Sequence, residues 1–268
     1  MKNLKIWMIA VTSLLMTVSL SASSVPTTGR IWNYNIITTE ISKDFGIVTI
    51  PGFKYEYLRY ISGEKADSKG ALAYEFFIGP YFLTHLSNVK VMIPLVYHYM
   101  GFPDTPKASN FSYNHNFDVF PSFLYRHNKS MLQWRIFFHN TFYSTIYKYM
   151  PGINESKTGY SLLLKFRIRY SYWISKRVAL SVGDEVLYGL VENNNVPAKT
   201  GPGFTENGLD ANKIMAGLVL KITKNFTILP YYLYETTYAK NRITSEKDLT
   251  SKSHYLFLII KYKLWKGG

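Results

Sequence analysis

The chain of 268 residues contains no cysteine. Disulfide frameworks, thiolate zinc sites and cysteine nucleophiles are therefore excluded. Acid is scarce: 17 Asp and Glu stand against 31 Lys and Arg, a formal net charge of +14. Beyond the first 24 residues, no apolar run approaches the roughly 18 uncharged residues of a membrane-spanning helix. The basic balance invites a nucleic-acid reading, but the usual signatures are missing. No zinc-finger spacing is possible without cysteine, and no RNP-like string occurs. The apolar share, 47%, is too high for a disordered chain. What the chain has in excess is aromatic: 23 Tyr, 17 Phe and 5 Trp.

Residues 1–24 read as a secretory signal peptide. Lys2 and Lys5 form a positive start, Ile6 to Leu20 is uncharged and apolar, and Ser21, Ala22, Ser23 and Ser24 supply small residues for cleavage. The apolar stretch is short for a transmembrane helix, which needs about 20 residues. Cleavage removes two lysines and no acid, taking the charge from +14 to +12. An exported chain would not normally meet nucleic acid.

The remainder alternates with period two. In Ser161 to Trp173, Leu162, Leu164, Phe166, Ile168, Tyr170 and Tyr172 share one parity, and Lys165, Arg167, Arg169 and Ser171 the other. A helix would scatter these charges around its cylinder, whereas a strand separates them onto one face. The same test sorts Met131 to Thr141, Asn212 to Ile222 and Ser253 to Trp265. It predicts strands at about 30–40, 45–61, 71–84, 89–101, 117–127, 131–147, 160–173, 177–191, 211–222, 226–240 and 253–266.

Short polar turns alternate with long polar loops. The turns lie at Ile41–Asp44, His85–Asn88, His127–Ser130, Ile174–Arg177 and Ile222–Asn225; three of them read ISKD, ISKR and ITKN. The long loops include Gly101–Asn116, Tyr149–Gly159 and Glu192–Asp210. Short turns on one rim and long loops on the other describe an outer-membrane barrel. The fold expected is all-β: an antiparallel, up-and-down transmembrane β-barrel of about 10–12 strands over residues 25–268. The strand number stays open, because such bacterial barrels have even counts. Dropping 30–40 leaves ten, and splitting 45–61 at Pro51-Gly52 gives twelve. Long strands, aromatics near the ends of the apolar faces and a basic exported chain favour a membrane barrel over a soluble periplasmic β protein.

If the apolar faces meet lipid, the opposite faces line a lumen. Eleven of its candidate residues are Lys or Arg: Lys54, Lys90, Arg126, Arg135, Lys165, Arg167, Arg169, Lys213, Lys221, Lys261 and Lys263. Five are acids: Glu56, Glu75, Asp118, Glu185 and Glu235. Low-dielectric walls focus such a field and attract anions. Lys165, Arg167 and Arg169 stand two residues apart, about 7 Å from one to the next, and repel. Glu185 is their natural counter-charge. The solute-binding candidates are Lys165, Arg167, Arg169, Glu185, Arg135, Lys213, Lys261 and Lys263. The solute would be small and anionic. The alternative is a plugged barrel whose paired charges only fill the interior, with loops such as Glu192–Asp210 as the working surface.

No enzyme is expected. A lipase-like group of His139 with Asn140 and Ser144 fails because His139 and Ser144 differ in parity. His98, Asp104, His115 and Asp118 could gather at the outer rim, as the polar residues of any barrel could. His98, His115 and His127 show no metal-ligand spacing, so neither metal nor cofactor is expected.

Several strings resemble an uncharacterised outer-membrane family catalogued as domain of unknown function 2490. They are Trp32 at the first strand, Arg59-Tyr60 at the close of the second, RIRYSYW from Arg167 to Trp173, GDEVLYG from Gly183 to Gly189, NKIMAGLVLKITKNFTILPYYLYE from Asn212 to Glu235, and His254 at the last strand. Lys213 stands where that family usually has Arg, and the chain ends LWKGG rather than on an aromatic residue. The resemblance implies an outer-membrane barrel, with membrane lipids and the barrel-assembly machinery as partners. It implies no activity. It also implies that residues 30–40 form a genuine strand.

Overall fold

The structure, a computed structural model, describes residues 25–103, 112–143, 159–192, 206–240 and 246–266. The expected signal peptide, Asp104, Ser144 and most of the Glu192–Asp210 loop lie outside the described residues. The described residues form thirteen strands and no helix: β1 (Thr27–Glu40), β2 (Phe45–Ile61), β3 (Glu64–Ala66), β4 (Gly70–Leu86), β5 (Val89–Phe102), β6 (Ser112–Val119), β7 (Ser122–His127), β8 (Ser130–Tyr143), β9 (Gly159–Trp173), β10 (Val178–Val191), β11 (Gly208–Lys221), β12 (Phe226–Lys240) and β13 (Lys247–Lys266).

One sheet holds them all, and it closes on itself. The thirteen strands occupy eleven positions around the ring. β6 and β7 share one position between β5 and β8, and β3 pairs with β2 alone. All eleven segments read from the sequence are therefore wall strands. Each neighbouring pair is antiparallel except at the seam, where β1 runs parallel to β13 from Thr27↔Lys252 to Glu40↔Lys266. The odd count dictates this. When direction reverses at every step, the eleventh strand runs the same way as the first. The seam departs from the wholly antiparallel barrel expected, and it resolves the strand number.

β2 passes through Pro51-Gly52 without a break. The ring position that does break is β6/β7, at Phe120-Pro121. Pro121 has no N–H to give the ladder. Phe120 N–H turns to Pro94 O at 3.2 Å, and Pro121 O accepts from Ile136 N–H at 3.1 Å. The three similar turns share one hydrogen-bond pattern. Ile41 and Ser42 donate to Phe45 O, Ile174 and Ser175 to Val178 O, and Ile222 and Thr223 to Phe226 O. His254 and Trp32, placed at strand openings by the family resemblance, instead sit well inside β13 and β1.

Side chains divide as the parity test requires. Phe166, Ile168, Tyr170 and Tyr172 point outward and are exposed, as are Ile47, Ile78, Val182 and Ile214 on other strands. The inward face is not uniformly polar, however. Trp32, Met215, Leu229, Leu233, Phe257 and Ile259 belong to one buried cluster, and Val48, Ile50, Phe77, Tyr81, Val96, Phe120 and Phe137 to a second. Tyr34 and Ile36 pack against both, so side chains bridge the interior at that level.

Gly52 makes room for this bridge. A Cβ there would lie 2.3 Å from Cδ1 of the Tyr34 ring, which also hydrogen-bonds Glu75. Overpacking of this kind costs about 1–3 kcal/mol. Gly52→Ala is expected to lower stability by that amount in equilibrium unfolding from detergent micelles. An unchanged midpoint would mean that Tyr34 has freedom to move.

A row of buried charges in the lumen

Strand register, rather than sequence proximity, assembles the charges. Arg135, Arg167, Glu185, Lys213 and Glu235 are successive register partners across β8, β9, β10, β11 and β12. All project inward. Glu185 binds Arg167 at 2.6 Å and lies 3.8 Å from Lys213, which binds Glu235 at 3.0 Å. Direct cross-strand partners stand about 4.5–5.5 Å apart at Cβ, so charges of opposite sign meet there. The counter-charge role read for Glu185 is thus played toward Arg167 and Lys213.

The other inward acids are also engaged. Glu56 accepts from Arg59 at 2.7 Å, from Arg30 at 3.4 Å and from Lys69 N–H at 3.0 Å. Glu75 binds Lys54 at 3.0 Å. Tyr255 O–H donates to Glu235 at 3.3 Å and accepts from Arg30 at 2.8 Å. Trp32 is flanked by two ammonium groups, Lys54 at 4.3 Å and Lys213 at 5.0 Å from its ring. Asp118 accepts from two imidazoles, His98 Nδ1 at 2.7 Å and His139 Nδ1 at 2.8 Å.

The cations outnumber these acids. Arg135, the register partner of Arg167, donates to Ser122 Oγ at 3.1 Å and lies over the face of Phe120. Arg169 donates to Gln133 and, at 3.2 Å, to Tyr231 O–H, while its Nε is buried with no partner. Lys165 lies over the Phe137 ring at 4.6 Å. Lys261 sits within electrostatic reach of Arg135, Arg167 and Arg169. Among the described residues, no acid ion-pairs with Arg135, Arg169, Lys165 or Lys261. Lys263, grouped with them in the sequence, is instead at the short-turn rim and bound to Glu40.

Two features escaped the sequence reading. Arg30 faces Glu56 as its register partner across the β1–β2 hairpin, and Arg59 reaches Glu56 from three residues further along β2, which parity alone does not reveal. The convergence of His98, Asp118 and His139 has no motif, since they lie on three strands. His115 and His127 take no part in it: His115 pairs with Tyr97, and His127 with Asn128.

A family model described as a protein of unknown function, DUF2490, matches residues 30–246. The chain belongs to this family. The match spans the barrel from β1 to the start of β13 and includes every residue of the charge row. Among solved structures, a NanC porin in a rhombohedral crystal form overlays the DUF2490 chain with a TM-score of 0.41 and 10% identity, covering 90% of this chain and all of the other. No curated protein matches.

Proposed function

We propose that the chain is an outer-membrane β-barrel, exported by a signal peptide cleaved after about residue 24, which binds small anions in its lumen. The outward apolar belt and the closed backbone ladder support the membrane setting. An open sheet edge in hydrocarbon would leave polar groups unsatisfied at several kcal/mol each, and closure removes every edge. Membrane lipids and the assembly machinery that inserts such barrels are the partners this setting requires. A precursor expressed in a Gram-negative host should fractionate with outer membranes and change its gel mobility on boiling. Recovery in the soluble fraction would overturn the membrane reading.

The anion reading rests on one observation: among the described residues, Arg135, Arg169 and Lys261 are inward cations in no ion pair with an acid. Burying a charge without a partner is costly, and like charges directly opposite on a sheet repel. A carboxylate, phosphate or sulfate group would complete the arrangement, taking the guanidinium forks with charge-assisted bonds. Binding rather than free passage is favoured, because the two apolar clusters meet across the interior.

Inorganic phosphate and succinate, titrated into refolded tag-free barrel by calorimetry, test the reading. Saturable binding that weakens with added chloride is expected. Arg135→Gln and Arg169→Gln should each weaken it about 10-fold or more, since a hydrogen bond to a charged group contributes about 1.5–3 kcal/mol. Absence of binding by correctly folded protein would instead favour a plugged, structural barrel, the reading that the buried aromatic clusters support.

A further inference from the structure

The cluster of His98, Asp118 and His139 shares no residue with the cation row, though Lys165 stands within electrostatic reach of Asp118 and His139, and it takes no part in the anion reading. β5, β6 and β8 carry its three residues, and Asp118 is the register partner of His139. All three are buried, at 2%, 0% and 6% relative exposure. One imidazole nitrogen from each histidine and one carboxylate oxygen lie within 4.8 Å of one another. Phe77 stacks on His98 with ring centroids 3.6 Å apart, which fixes the plane of that imidazole.

The hydrogen bonding of the cluster is incomplete in a particular way. A carboxylate only accepts, so both histidines donate to Asp118 through Nδ1–H. Each neutral ring then presents Nε2 as an acceptor. His98 Nε2 is buried and nothing donates to it. The neighbouring register positions hold further unpartnered polar atoms. Asn116 pairs in register with His98 and with Thr141, and Asn116 Oδ1, Thr141 Oγ1 and both side-chain polar atoms of Asn114 lack hydrogen-bond partners. Buried polar groups are otherwise almost always satisfied.

We propose that this cluster is a binding site for a divalent transition cation of the zinc class, held by Nδ1 of His98, Nδ1 of His139 and the carboxylate of Asp118. Two imidazoles and one carboxylate are a ligand set for such ions, with a further coordination position left for water or solute. The metal takes the place of the two Nδ1 protons. Each neutral ring carries one proton before and after: it moves from Nδ1 to Nε2 by exchange with solvent, so the histidines release no net proton. His98 Nε2 thereby changes from an unfilled acceptor to a donor, beside a register row of unfilled acceptors. Histidine ligands usually direct their second N–H to such an acceptor. A water on the open position could meet the remaining polar atoms. The bound ion would also tie β5, β6 and β8 together next to the Phe120-Pro121 interruption between β6 and β7.

The test uses the whole barrel without a histidine tag, refolded in detergent, stripped with EDTA and titrated with zinc sulfate by calorimetry. One zinc per barrel is expected. Asp118→Asn and His139→Gln should each weaken binding about 100-fold or more, at the upper end of what even outer-shell ligand partners cost. His115→Gln, which removes a histidine outside the cluster, should leave the affinity unchanged. Heat-shifted gel mobility reports whether each variant has folded. If the cluster variants do not fold, X-ray absorption at the zinc edge of the loaded wild-type barrel decides. Nitrogen and oxygen ligands at about 2.0–2.2 Å, with imidazole outer-shell scattering, are expected. A shell of oxygen alone overturns the proposal. So does a folded wild-type barrel that takes up no stoichiometric zinc, or cluster variants that bind it as the wild type does. Failure here leaves the anion reading intact, because no residue of this cluster belongs to the cation row.

Discussion

Replacing Phe166 with arginine is expected to destabilise the barrel by about 2–4 kcal/mol when it is folded into lipid vesicles. Phe166 lies midway along β9, points outward and is 45% exposed. Its register partners Ile136 and Val186 are apolar too, so no acid stands beside it to pair with an arginine. At the bilayer midplane a guanidinium must be dragged into hydrocarbon or must thin the membrane around itself. Near an interface it can snorkel, and the cost falls to about 0–1 kcal/mol. Tyr172→Arg, six residues along the same face and close to the short-turn rim, is therefore expected to be mild. The gradient between the two carries the argument. A barrel standing in water would tolerate both, since surface substitutions stay within about 0.5 kcal/mol. Equal and small effects in vesicles would show that this face does not meet lipid.

The outward face was legible because a strand turns each successive side chain to the opposite side. Lys165, Arg167 and Arg169 interleaved with Phe166, Ile168 and Tyr170 leave no other arrangement that separates charge from apolar surface. Even the five inward acids follow from that alternation. The lumen's composition was less legible. Met131 and Phe137 share the parity of Gln133, Arg135 and His139, so parity places them inside, but it cannot say that they pack rather than line a channel. That depends on which residues meet across the ring, as Tyr34 and Ile36 pack against both apolar clusters. Partnerships depend on register, and register is set by pairings far apart in the chain. Glu185 was foreseeable as a counter-charge because its hairpin brings it opposite Arg167. Arg30 opposite Glu56 rests on the same hairpin logic, across the Ile41–Asp44 turn. Closure was obscured by a rule of even strand numbers that this chain does not follow. The eleven segments were visible, but nothing local in β1 or β13 announces a parallel seam.

Glu185→Ala is expected to be the most damaging single truncation of the charge row. Glu185 ion-pairs with Arg167 and lies 3.8 Å from Lys213, beside the cations Arg135, Arg169 and Lys261, which make no ion pair with an acid among the described residues. Its side chain is 5% exposed, so water cannot replace it. Removing one member of a buried ion pair costs about 3–5 kcal/mol, mostly because the surviving charge is left without compensation. Here Lys213 keeps Glu235 at 3.0 Å, but Arg167 loses its acid and still faces Arg135 across the ladder. Glu185→Gln keeps the shape and an acceptor oxygen while losing the charge, so its cost relative to Ala separates hydrogen bonding from electrostatics. Phosphate supplies the decisive comparison. A ligand that binds the folded state stabilises it in proportion to occupancy. If the lumen admits anions, phosphate should raise the unfolding midpoint of Glu185→Ala more than that of the wild type, because Arg167 has lost its acid in the variant. If phosphate shifts neither protein while both remain folded, the cation row is a sealed structural core, and its excess charge must be balanced from within.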